Sequence, residues 1–102
     1  MSTTVTYLKS LQDKVFKLLP MREAYDSGED NRLYEYIDNL LSNYMGAFVC
    51  YPEFGEKRIL IEVQNNIAFL QSDRDINFQK WRATVLRSTR LIGKVIDEYL
   101  EV

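Results

Sequence analysis

Groups that could act as nucleophiles or bases are scarce in this chain of 102 residues. It contains no histidine and one cysteine, Cys50. Histidine is the commonest general base and metal ligand, and a cysteine nucleophile needs a base beside it, so the composition argues against Cys-His catalysis and a zinc site. The segments "GEKR" and "LIGK" lack the leading glycine and the following Ser or Thr of a phosphate-binding loop.

Paired carboxylates are the remaining candidates for acid-base chemistry or a divalent metal. Glu29 lies beside Asp30, and Glu35 lies three residues before Asp38. Both pairs belong to a predicted polar helix face where nothing would raise a carboxyl pKa, so we interpret them as a solvated acidic face. We therefore expect no catalytic residue, no metal and no cofactor, and we predict that the protein is not an enzyme.

Charge is distributed unevenly along the chain, although the net charge is only -2. Residues 23–56 hold eight acidic residues against Arg32, whereas residues 76–96 hold only basic charges. At about 100° per residue, four of these bases share one quadrant of a helix. They are Lys80, Arg87, Arg90 and Lys94.

This basic face has two interpretations. It could complement the acidic second helix, within the fold or across a symmetric dimer, or it could bind phosphates or an acidic partner. The acidic sequence pI of about 5.1 argues against general nucleic-acid binding. The basic face also lacks interleaved aromatic side chains on which the bases of a nucleic acid could stack, which argues against such binding as well.

Aromatic residues supply the candidates for contact with another protein. Tyr51 and Phe54 flank a predicted turn, where they either cover the core or meet a partner. Four more aromatic residues fall on or beside the polar faces of the first two helices, which suggests that a second surface is covered in the assembled state. They are Tyr34, Tyr7, Tyr25 and Phe16. The partner-contact candidates are therefore Tyr51, Phe54 and Tyr34.

Apolar spacing predicts the helices that position these residues. The first runs over residues 4–19 and ends or kinks at Pro20. The second carries its buried stripe from Leu33 to Phe48, with Asp30 or Ser27 as its cap. The last runs from about residue 75 to residue 100 behind a capping box of Ser72 and Asp75. Its seam combines Phe78, Val85, Ile92 and Tyr99 with Trp81, Ser88 and Val95.

Residues 46–63, "GAFVCYPEFGEKRILIEV", are ambiguous. Ile59, Ile61 and Val63 alternate as a strand requires, whereas Leu60, Val63, Ile67 and Leu70 continue one helix face. We favour a turn followed by a helix over residues 57–71. The predicted fold is all-α, one antiparallel bundle of about four helices over residues 1–102; the alternative is an α+β fold with a short hairpin at residues 47–63.

The expected function follows from these exclusions. The N-terminal segment has neither the basic nor the apolar region of a signal peptide, and no apolar run approaches the ~20 residues that span a bilayer, so we expect a cytoplasmic protein without membrane contact. We predict a non-enzymatic protein-interaction module, namely an adaptor, inhibitor, immunity-type or regulatory factor, that forms homodimers. The alternative is a nucleic-acid-binding regulator that uses the basic face of its C-terminal helix.

Overall fold

The computed structural model describes residues 3–100, and every regular element in that range is helical. The elements are α1 Thr3–Phe16, α2 Leu18–Asp26, α3 Leu33–Cys50, a 3-10 turn Pro52–Glu56, α4 Arg58–Ser72 and α5 Phe78–Leu100. The predicted all-α fold is confirmed. The hairpin at residues 47–63 is wrong, because α3 continues to Cys50 and α4 begins at Arg58.

α1 and α2 form one kinked arm of the bundle. The amide of Lys17 still donates to the Asp13 carbonyl, and the amide of Met21 donates to the Lys17 carbonyl, both at 3.1 Å. Pro20 has no N–H to donate to the carbonyl of Phe16, four residues earlier, and its ring crowds that carbonyl. The helix therefore breaks just after Phe16, three residues earlier than predicted, and then continues through Pro20.

The helices are arranged in a ring when viewed along the bundle. α1 packs beside α5, α5 beside α4 and α4 beside α3, and α1 and α2 close the ring against α3. In the described part of the chain, no Cα atom of α3 lies within 8 Å of a Cα atom of α5, so the two helices lie diagonally across the bundle. The molecule measures 44 × 22 × 21 Å.

The core combines large apolar side chains with a few polar atoms, most of them hydrogen-bonded; the Tyr99 hydroxyl and one terminal nitrogen of Arg22 are buried without a hydrogen-bond partner among the described residues. Trp81, Tyr44 and Phe54 are the largest fully buried residues. The Trp81 indole donates to the Leu18 carbonyl at 3.2 Å, and the Tyr44 hydroxyl donates to the Leu60 carbonyl. Because an unpaired buried donor would be costly, these bonds fix the positions of α2 against α5 and of α3 against α4.

The predicted seam of α5 forms the inner face of that helix. Its central positions are buried, whereas Phe78 and Tyr99 at its two ends are half-buried. The hydroxyl of Ser88, in the middle of the seam, accepts from the Asn66 side chain at 3.2 Å and donates to the Thr84 carbonyl at 2.9 Å. A polar group at this buried position is thereby satisfied and ties α5 to α4.

The predicted capping box before α5 is wrong. Ser72 is the last residue of α4, and its hydroxyl donates to the Phe69 carbonyl. Asn77 caps α5 instead, because its side-chain oxygen accepts the amide N–H of Lys80 at 2.9 Å. Helix α5 consequently begins at Phe78 rather than near residue 75.

The connection between α2 and α3 is held by a glycine in the left-handed region. Gly28 has φ +80°, and its N–H donates to the Tyr25 carbonyl at 3.1 Å, while that of Glu29 donates to the Ala24 carbonyl at 2.9 Å. This is a Schellman motif, which ends α2. The Ser27 hydroxyl also donates to Ala24, so Ser27 belongs to the end of α2 and does not cap α3.

Among the helices of residues 3–100, none has both the length and the apolar composition that crossing a bilayer requires.

Candidate functional site

Phe54 lies inside the bundle and covers the end of the core. Its side chain is fully buried, and its ring stacks on Tyr51 at a centroid distance of 5.0 Å. The rings of Tyr7 and Phe48 lie 6.2 and 6.3 Å from it. Of the two interpretations of this turn, the geometry favours core covering. A partner cannot reach Phe54 in this conformation, and Tyr51 is half-buried beside it.

Tyr34 is also inside the structure, and its expected place on a polar face is wrong. Only 9% of the residue is exposed. The Tyr25 ring meets it edge-on at 5.3 Å, and the Arg74 guanidinium lies 3.9 Å from its ring centroid. Burial raises the pKa of the Tyr34 hydroxyl. Tyr34 therefore joins α2, α3 and the α4–α5 connection and offers no free surface.

The basic face of α5 does not pair with the acidic helix α3. Arg87 Nε lies 2.7 Å from Glu62 Oε2 on α4, and Lys80 Nζ lies 5.5 Å from the centre of the Phe69 ring, also on α4. Predicted pairing with the acidic second helix is wrong within the bundle because α3 lies diagonally opposite α5. Arg90 and Lys94 are exposed and form no ion pair within residues 3–100.

One carboxylate of each predicted pair accepts hydrogen bonds within the fold. Asp30 accepts from the amide, Nε and terminal nitrogen of Arg32 at 2.8–3.0 Å, and these hydrogen bonds lower the pKa of its carboxyl to about 2. Asp38 accepts from the Gln71 side chain. Within the described chain, no group of three or more acidic or Cys side chains is positioned to hold a metal ion.

An exposed apolar patch, formed by Met45, Val49 and Ile61, is the main surface feature that the sequence analysis missed. These side chains are 51%, 81% and 40% exposed, and they are three of the six large apolar residues that are exposed in the described range. Met45 and Val49 are four residues apart on α3 and so lie on one face. The four-residue spacing of Met45 and Val49 in the sequence indicates a shared helix face, but the stronger apolar stripe beside it dominates the pattern of this segment.

From the register of α3 against α4 we infer that Ile61 lies near Met45. The Asp38–Gln71 bond marks the side of α3 that faces α4, and Met45 lies seven residues beyond Asp38, on that same side. Tyr44, next to Met45, bonds the carbonyl of Leu60, next to Ile61. Met45 and Ile61 are therefore at the same level along the α3–α4 seam.

A second feature, here called the acidic groove, lies between α2 and the first half of α3. It has a volume of about 430 Å³ and is lined by Met21, Asp30, Arg32, Glu35, Tyr36 and Asn39. Met21 and Tyr36 are half-buried and pack against the core, whereas Glu35 and Asn39 are exposed at the rim. The groove depends on the docking of α2 against α3, which local sequence patterns do not specify.

Comparisons with models of known families, with characterised proteins and with solved structures give no significant match for this chain. Three surfaces of the described chain are candidates for a functional role: the apolar patch, the acidic groove and the basic face of α5.

Proposed function

We propose that this protein is a small, non-enzymatic interaction module of the cytoplasm, an adaptor, inhibitor, immunity-type or regulatory factor, which binds another protein through the apolar patch. The observation that supports this most is the exposure of Met45, Val49 and Ile61 together at one helix seam. Single exposed apolar residues are common on proteins, whereas a group of them rimmed by polar residues is typical of contact surfaces.

The magnitude of the available burial agrees with such a role. Burying a Val, Ile or Met side chain completely contributes about 1.5–3 kcal/mol relative to leaving it in water. Val49 is 81% exposed and Met45 is 51% exposed, so much of that contribution remains to be gained on contact. Around these two residues α3 is anchored to the bundle, because Tyr44 and Ala47 on its opposite side are buried in the core. A partner would therefore meet a preformed surface.

The proposal is tested by affinity capture from the native host followed by mass spectrometry. Three tagged proteins are compared: the wild type, the double variant Met45→Ser/Val49→Ser, and the control Phe16→Ser, which removes an apolar side chain that is 52% exposed on α1. We expect a protein that is captured by the wild type and the control but not by the double variant. Identical captured sets for all three proteins would contradict the proposal.

A second candidate function is supported by the unpaired bases of α5. Arg82, Arg90 and Lys94 are exposed and form no ion pair with any described residue, which leaves them available to phosphates. Fluorescence anisotropy with a DNA duplex and an RNA hairpin distinguishes the two candidates. A phosphate binder would bind at about 0.15 M salt, weaken steeply with added salt, and lose affinity in Arg90→Glu/Lys94→Glu. We expect no such binding.

A further inference from the structure

Two exposed bases of α5 and one exposed acid of α3 form no ion pair among the described residues and lie on different sides of the bundle. Arg90 and Lys94 project from the outer face of α5. Glu35 projects from α3 beside the acidic groove and forms no ion pair within residues 3–100; it adds only a longer-range attraction to Arg32. Because α3 and α5 lie diagonally across the bundle, Glu35 lies on the side away from Arg90 and Lys94, although Asp97 adds one acidic charge to α5.

The acidic groove has the construction of a receptacle for long cationic side chains. Its floor is apolar, since Met21 and the Tyr36 ring pack against the core. The Tyr36 hydroxyl donates to the Lys14 carbonyl at 2.7 Å, which holds the ring in place. At the rim, the Glu35 carboxylate and the Asn39 amide are exposed, and so is the Arg32 guanidinium, whose charge is paired with the Asp30 carboxylate. An aliphatic stem could lie on this floor while its charged end reaches the rim.

Both complementary surfaces are present on the same chain. We propose that the protein self-associates head to tail, with Arg90 and Lys94 of one copy entering the acidic groove of the next. These two bases are four residues apart on α5 and so stand side by side on one helix face. The Glu35 carboxylate would receive one cation, and the Asn39 side-chain oxygen would accept a hydrogen bond from the other.

The geometry determines the form of the assembly. The two contacting surfaces differ and lie on opposite sides of the molecule, so one contact leaves a free groove at one end and a free basic face at the other. Association therefore continues beyond a dimer as the concentration rises. Because the ion pairs are at the surface, added salt should weaken it. This contact uses none of the residues of the apolar patch and does not depend on the proposed function.

Two half-blocked variants test the proposal, both made in the Met45→Ser/Val49→Ser background so that the apolar patch cannot contribute. The first, Glu35→Lys/Asn39→Lys, blocks the groove and keeps the basic face. The second, Arg90→Glu/Lys94→Glu, blocks the basic face and keeps the groove. All four positions are exposed, and a thermal melt of each variant checks that folding is intact.

Sedimentation velocity at about 50 mM salt gives the readout. We expect the background protein to self-associate with rising concentration and each half-blocked variant to associate about tenfold more weakly. An equimolar mixture of the two variants should form a heterodimer and stop there, because it retains one intact contact. A charge control in the same background, Asp75→Lys in the α4–α5 connection, should associate like its parent.

Charge exchange provides a second, independent measurement. Combining Glu35→Lys/Asn39→Lys with Arg90→Glu/Lys94→Glu in one chain makes the groove basic and the α5 face acidic, and it should restore self-association. The proposal is overturned if the background protein stays monomeric at low salt, if the mixture yields no heterodimer, or if blocking the groove leaves association unchanged. The proposal would also be overturned if Arg90→Glu/Lys94→Glu abolished self-association while Glu35→Lys/Asn39→Lys did not.

Discussion

Replacing Phe54 with alanine should destabilise the fold strongly, because its ring closes the end of the core. The side chain is fully buried and lies within 5.0–6.3 Å, between ring centroids, of the rings of Tyr51, Tyr7 and Phe48. Removing a buried phenyl ring costs about 3–5 kcal/mol, which is a large part of the roughly 5–15 kcal/mol that stabilises a domain of this size. At about 4–8 °C per kcal/mol, even the lower cost lowers the melting temperature by about 12–24 °C.

Urea and thermal unfolding followed by circular dichroism measure this change. Val49→Ala is the matched control, since that side chain is 81% exposed and its truncation should alter the unfolding free energy by about 0.5 kcal/mol or less. The core-covering role of Phe54 would be refuted if Phe54→Ala unfolded within about 1 kcal/mol of the wild type. If that variant also lost self-association, Phe54 would be a contact residue instead.

Four further substitutions examine the core, the backbone and the loop charge. Val85→Asp should place an unpaired carboxylate in the α5 seam at a cost of several kcal/mol and abolish the cooperative melt. Gly46→Ala should raise the unfolding free energy by about 0.5–1 kcal/mol, since an added Cβ there meets no atom within 4 Å, whereas Gly28→Ala should lower it because φ is +80°. The folded pKa of Asp30, about 2, lies below its unfolded value, so its stabilisation is present above that unfolded value and is lost as the pH falls toward 2. Asp30→Asn should therefore flatten the acid limb of a pH-stability curve.

The helices could be predicted because their apolar residues recur with helical spacing. The seam positions of α5, such as Val85 and Ile92, are buried as predicted, and the buried stripe of α3 begins at Leu33 as predicted, although Arg32 rather than Asp30 or Ser27 is the residue before its first turn. The prediction of a helix over residues 57–71, rather than a hairpin at residues 47–63, is also confirmed. Leu60, Val63 and Ile67 form a helical stripe that is fully buried in the structure. Long periodic segments determine their own secondary structure in this way.

Helix ends and individual aromatic orientations could not be predicted, because tertiary contacts decide them. The break after Phe16 lies at the carbonyl that Pro20 cannot bond, which is four residues before the proline. Asn77 replaced Ser72 as the cap of α5 because residues 73–77 form a separate connection. Tyr34 turned inward because α2 and Arg74 cover it.

The candidate surfaces were predicted less well than the fold. The basic face of α5 exists, but the sequence did not reveal that α4, rather than α3, would supply its neighbours Glu62 and Phe69. Helix order around the bundle decides this, and charge patterns along the chain do not report it. The patch of Met45 and Ile61 likewise requires the docking of α3 on α4 before it becomes one surface.

The most direct test of the interaction role is a calorimetric titration of the protein captured by the wild type against purified wild type and Met45→Ser/Val49→Ser. Loss of two central apolar contacts should raise Kd at least about tenfold, equivalent to roughly 1.4 kcal/mol, while the melting temperature of the variant stays close to that of the wild type. Equal Kd values for the two proteins, with both fully folded, would contradict the assignment of the α3–α4 patch as the interaction surface.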